Sequence, residues 1–151
     1  MDGLVNAPLV NRSKPPGAVI PVLGYEDVDE AVDWLCEVFG FTVRLRIGSH
    51  RVQLLVNNGL GGEGSVVATE RGGYAPAEDS HSVMVQIADA QRYYEHVLAC
   101  GAQIVSPPTD HFFGERQYTV VDLGGHRWTF SQSIADVDPE SWGGVIPKRD
   151  L

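Results

Sequence analysis

A capped amphipathic helix pattern occurs twice in this chain, each time in the same setting, and few folds accommodate that repetition. In the first copy Asp27 opens a D-x-x-E box with Glu30; Val28, Ala31, Val32, Leu35, Val38 and Phe39 then share one helical face, and Gly40 stops the run. In the second, Asp89 precedes Ala90, Tyr93, Val97 and Leu98 at helical spacing, and Gly101 ends the segment. The caps stand thirteen and twelve positions before their glycines. Each helix follows one strand-like run (18–25 and 82–87) and precedes three more: 41–47, 51–56 and 64–69 in the first half, 102–106, 116–121 and 126–132 in the second. An internal duplication of a β-α-β-β-β unit explains both halves, so the expected fold class is α+β with two tandem βαβββ modules.

The boundaries follow from composition. Residues 1–17 carry Pro8, Pro15, Pro16 and Gly17 without periodicity and read as an irregular arm outside the fold. The first module spans 18–70, a Gly-, Pro- and acid-rich linker 71–80, the second module 81–134, and an extension 135–151 in which Trp142 is expected to pack on something apolar. Pro21 has no amide to donate, which places the first strand at an edge or in a distorted pairing.

With 151 residues, 43% of them hydrophobic, one globular domain suffices. Twenty acidic against eleven basic residues give a net charge of -9, the wrong sign for a general nucleic-acid binder. No apolar run reaches the length of a membrane span, and the first residues have neither a basic nor an apolar leader pattern, so the expected location is cytoplasmic and no membrane partner is expected. Cys36 and Cys100 belong to no metal or redox pattern and are expected as thiols.

The segments GYEDVDEAVDWLCEVFGF and GERQYTVVDLGGHRWTFSQ resemble the glyoxalase/bleomycin-resistance/dioxygenase superfamily, also called vicinal oxygen chelate proteins, over about residues 18–132. The resemblance implies that each module curls its sheet into half a cup around a small-molecule cavity, often within a homodimer. It also implies, for metal-dependent members, ligands on the first and last strands of each module. Counting seven back from the capping aspartates gives Ile20 and Ser82, and the last-strand positions are read as Ala68 and Thr129. Isoleucine and alanine have no donor atom and lone hydroxyls bind divalent ions weakly, so no metal and no cofactor is expected. The alternative is a divalent metal ion held by an unconventional set from His81, Glu70, Glu115 and His126.

If Ser82 faces the cup, strand alternation brings Met84 and Gln86 with it, and Arg127, Thr129 and Ser131 share one face of the last strand. Met84 can adapt to an irregular apolar body and Gln86 can orient an amide or carbonyl. Arg127 can meet a carboxylate or planar ring, or pair with a nearby acid. Phe112 and Phe113 fall in a loop, where at least one can cover the cleft or pack on the tail. Arg116 and Tyr118 follow and complete the candidate ligand-binding set. Trp128, in phase with Phe130, reads as core, and His126 as a structural hydrogen-bonding residue.

No catalytic residue is assigned, and no nucleophile elbow, P-loop or dinucleotide fingerprint occurs. The expected function is metal-independent binding of a small molecule, aromatic or cationic, such as sequestration of an antibiotic or other natural product. The rival is a metal-dependent glyoxalase-like lyase or isomerase, or an extradiol-type dioxygenase.

Overall fold

The computed structural model describes residues 11–71 and 81–147; the linker expected at 71–80 lies outside this range except for Arg71, as do the first ten and last four residues. The chain runs β1 (Val22–Tyr25), α1 (Val28–Phe39), β2 (Thr42–Ile47), β3 (Arg51–Leu55) and β4 (Ser65–Glu70), then β5 (Ser82–Gln86), α2 (Ala90–Ala99), β6 (Gln103–His111), β7 (Glu115–Val121) and β8 (Arg127–Ser133), with a 3-10 turn at Pro139–Trp142. This is the duplicated α+β arrangement expected from the caps. Each module forms one four-stranded sheet, ordered β1-β4-β3-β2 and β5-β8-β7-β6. In both, the first strand pairs parallel with the last and the other pairs are antiparallel.

The caps act as their residue types dictate. The Asp27 carboxylate accepts the Glu30 amide at 3.0 Å and that of Asp89 accepts the Arg92 amide at 3.1 Å, while Gly40 and Gly101 take left-handed backbone conformations just past the helices. The first amide of α2 also finds the Gln132 side chain at 2.9 Å, which ties that helix to β8. Replacing Asp27 by alanine should cost about 1 kcal/mol of stability, readable as a shift of the urea midpoint at unchanged slope.

The helices cover one face of each sheet, and the two covered faces merge in one core. Phe39, at the end of α1, meets Phe41 of its own module and Trp128 and Phe130 of the other, with ring centroids 4.9 to 5.5 Å apart. Trp128 is completely buried, as its phase with Phe130 predicts.

Two segments differ from expectation. β6 continues through Pro107 and Pro108 to His111, well past residue 106, because it is an outer strand whose missing amides cost no ladder bonds and whose register shifts between Ser106 and Thr109 absorb the rings. Residues 11–17, read as an arm outside the fold, lie across the first sheet with Pro15 buried. Cys36 and Cys100 are half-buried free thiols.

Candidate functional site

Alternation along the second sheet separates a packed side from a helix-free side. Val85, Trp128, Phe130, Tyr118 and Val120 are buried under the helices. The intervening residues, Met84 and Gln86 on β5, Arg127, Thr129 and Ser131 on β8, and Glu115, Gln117 and Thr119 on β7, therefore share the other face. Met84 pairs with Thr129 and Gln86 with Ser131 in the parallel ladder. Met84 is 58% exposed although it is a large apolar side chain.

A polar chain runs over this face. Ser131 Oγ donates to Glu115 Oε1 at 2.6 Å, Gln117 Nε2 lies 3.4 Å from Ser131 Oγ, and the Thr119 and Thr129 hydroxyls are 2.9 Å apart. The Ser131 hydroxyl, with the Gln117 amide 3.5 Å from the same oxygen, fixes Glu115 as an oriented acceptor at the edge of the face. Among the described residues no carboxylate pairs with the half-buried Arg127. A cavity of about 290 Å³ adjoins this surface where the modules meet, lined by Val83, Met84 and Gln86 on one side and by Val19, Pro21 and Glu63 on the other.

The structure thus brings together four of the eight sequence-derived candidates: Met84, Gln86, Arg127 and Thr129. Phe112 is 74% exposed at the β6–β7 turn, whereas Phe113 stacks on His111 with centroids 5.0 Å apart and meets Trp142 of the extension at 5.8 Å. Phe113 is therefore an anchor for the tail, and Trp142 finds its apolar partner there. Arg116 and Tyr118 belong to the opposite side. The Arg116 guanidinium holds Asp110 on the neighbouring strand at 2.6 and 3.1 Å, and this hydrogen bonding keeps the Asp110 carboxyl below its ordinary pKa. Tyr118 lies in the core, stacked on Phe130 at 5.1 Å, and burial pushes its phenol pKa up. It borders a separate cavity of about 230 Å³ between the helices, with Phe39, Tyr93 and His96.

Glu115, Gln117 and Thr119 were not singled out as ligand-binding from the sequence. Their signal was the phase of β7, which becomes readable only once Tyr118 is paired with Phe130.

The residues of the D-x-x-G-H-x-W segment stitch the modules together. The buried Asp122 carboxylate accepts four hydrogen bonds: from the Tyr25 hydroxyl at 2.7 Å, the Trp128 indole at 2.9 Å, and the Gly124 and His126 amides at 2.9 and 3.0 Å. Burial, then the Asp122 charge and hydrogen bond, push the Tyr25 phenol pKa far up. His126 Nε2 donates to the Gly24 carbonyl at 2.8 Å, and its Nδ1 is 3.1 Å from His81 Nε2. Both ring nitrogens of His126 are thus engaged in hydrogen bonds that join β8 to β1 and to the start of β5. A further cross-module bond runs from Arg71 to the Gly124 carbonyl at 2.8 Å.

The positions where this fold would place metal ligands do not fit a metal ion. Pairing corrects one of them: Val22 aligns with Val67 as Met84 aligns with Thr129, so the module-one counterpart of Thr129 is Val67, and Ala68 faces the core. The set becomes Ile20, Val67, Ser82 and Thr129, two hydrocarbons and two neutral hydroxyls. Among the described residues no group of three or more His, Cys, Asp or Glu side chains converges. The unconventional set fares no better geometrically, since Glu115 pairs with Ser133 at the far end of β8 from His126.

Residues 19–130 match the profile of the Glyoxalase/Bleomycin resistance protein/Dioxygenase superfamily. The chain belongs to this superfamily. Among solved structures it is similar to TioX from Micromonospora sp. ML1, at 34% identity and a TM-score of 0.63, over 81% of this chain and all of that one. It shares its fold with a glyoxalase/bleomycin resistance protein/dioxygenase from Nocardioides, at 15% identity and TM-score 0.67 over 97% of this chain and 95% of that one. The same holds for the fosfomycin resistance protein FosX from Listeria monocytogenes, at 16% identity and TM-score 0.63 over 80% and 95%. Comparison with curated proteins gives no match. No helix among the described residues is long and apolar enough to cross a membrane.

Proposed function

We propose that this protein binds a small molecule without a metal ion, on the helix-free face of the second sheet, and that it acts by holding the compound, as a sequestering antibiotic- or natural-product-binding protein does. The observation that carries this reading is the replacement of the chelating corners, Ile20 and Val67 in the first module and Ser82 and Thr129 in the second, together with the oriented set of binding groups on the open face of the second sheet. Met84 supplies an adaptable apolar surface, Gln86 a paired donor and acceptor, and Arg127 a planar cation. Glu115, oriented by Ser131, and the net charge of -9 favour a ligand with a cationic group beside its aromatic body. A homodimer would set the exposed apolar side chains of Val19, Val22 and Met84 against a second copy and close the cavity between the modules.

The test is an equilibrium titration of metal-free, chelator-dialysed protein with glycopeptides, enediynes and related aromatic metabolites, with metal content measured in parallel. Saturable binding that persists in chelator supports the reading. Stoichiometric Ni, Zn, Mn or Fe that survives dialysis, with turnover lost to a chelator, overturns it in favour of a lyase, isomerase or dioxygenase. For a cationic ligand, Glu115→Gln should weaken binding about tenfold, or about 1.4 kcal/mol, while an uncharged analogue should lose much less.

A further inference from the structure

The two sheets are not equivalent on their helix-free sides. The second is open, whereas the first is covered by the chain's own residues 11–17. Gln53 and Ser65 of that face are buried to 6% and 3% exposure, which is unusual for polar side chains pointing away from the core. The arm accounts for their burial. Gln53 Nε2 donates to the Ser13 carbonyl at 2.8 Å, Ser65 Oγ to the Pro16 carbonyl at 2.7 Å, and the Arg44 guanidinium to the Arg12 carbonyl at 3.0 Å. Arg44 also donates to Gln53 Oε1 at 2.6 Å, so the amide is turned with its NH2 group toward the arm.

The recognition is one-sided. All three sheet side chains act as donors and the arm supplies only carbonyl oxygens, because Pro15 and Pro16 have no amide hydrogen and the Ser13 and Lys14 amides turn back to Asn11. Pro15 is the buried residue of the arm. The arm forms no strand pairing with β2, β3 or β4. Side-chain bonds and one buried ring hold it, so it is the kind of local unit that opens without the rest of the molecule unfolding. Beside it lies a wide cleft of about 690 Å³ bordered by Asn11, Lys14, Arg44 and Glu63.

We propose that residues 11–17 are the built-in occupant of a peptide-binding face: Arg44, Gln53 and Ser65 recognise an extended chain by its carbonyl oxygens, and an external peptide or peptide-like compound binds there by displacing the arm. This site is separate from the second-sheet face and stands or falls independently of it. Because the arm competes for the same donors, the apparent affinity of an outside chain is reduced by the fraction of molecules in which the arm is seated.

The probe is a fluorophore-labelled, end-blocked peptide of residues 11–18, titrated against the full chain, the full-chain variant Pro15→Asp, whose charge disfavours the seated arm, and a chain lacking residues 1–17. Fluorescence anisotropy should show saturable binding to Pro15→Asp or to the shortened chain at least tenfold tighter than to the unmodified protein. Adding Gln53→Ala or Arg44→Ala should weaken it at least tenfold. Failure of both arm-released proteins to bind overturns the proposal, as does indifference to both sheet substitutions. Should the shortened chain not fold, as judged by circular dichroism, the Pro15→Asp titration decides alone.

Discussion

Replacing Asp122 by alanine should lower stability by about 3–5 kcal/mol, the range for stranding partners of a buried charge, and the melting temperature by roughly 10 °C. The expectation rests on what is left behind. Four donors converge on this carboxylate, two of them side chains from β1 and β8 and two of them turn amides. Each would be left buried without a partner. Asp122→Asn should also destabilise, since its amide NH2 would face donors where an oxygen now accepts. Tyr25→Phe removes one donor together with its need and should cost less than half as much as the alanine change. Thermal unfolding followed by circular dichroism checks the order; an Asp122→Ala midpoint within two degrees of the parent would show that the node carries no stability.

The second large effect concerns alkaline pH. Tyr25 and Tyr118 both have folded-state phenol pKa values raised by burial, with the Asp122 charge adding to the shift at Tyr25. In the unfolded chain each ionises near pH 10. A raised folded value means that the native state holds its proton more tightly, so the stability tied to these phenols is intact below about pH 10 and is lost as pH rises beyond it. Each phenol should contribute a slope of about 1.4 kcal/mol per pH unit, and the pair about 2.7. Urea unfolding between pH 9 and 11.5 would reveal it. Tyr118→Phe should halve the slope above pH 10 and leave stability at pH 7 little changed; an unaltered slope would mean that Tyr118 ionises within the native state.

How much of this was legible in the chain depended on whether the deciding interaction was local. The helices were readable because Asp27, Asp89, Gly40 and Gly101 act on amides within a turn or two. The faces of β5 and β8 followed once β5 was counted back from Asp89. β7 did not, because E-R-Q-Y-T-V-V suits either face, and the pairing of Tyr118 with Phe130 that selects one is a long-range fact. Hence Arg116 and Tyr118 were placed in the ligand-binding set and Glu115 only in an alternative metal set, while Glu115, Gln117 and Thr119 lie on the face with Met84 and Gln86. The same one-residue ambiguity separates Ala68 from Val67. The run read at 102–106 extends through Pro107 and Pro108 because β6 lies at a sheet edge, which is a property of topology. Tyr25 and Asp122 stand 97 residues apart, and no periodicity announces such a contact.

The bonds from Tyr25 to Asp122 and from His126 to Gly24 run from one repeat to the other within a single chain, and Arg71, just past the first repeat, adds one to Gly124. Whatever autonomy the ancestral unit possessed has been surrendered: cut between the repeats, the carboxy-terminal fragment would carry a carboxylate lacking one of its donors and a bare Trp128, and the amino-terminal fragment an unsheltered Phe39. Co-expressed fragments should therefore reassemble into a pair, and either fragment produced by itself should aggregate.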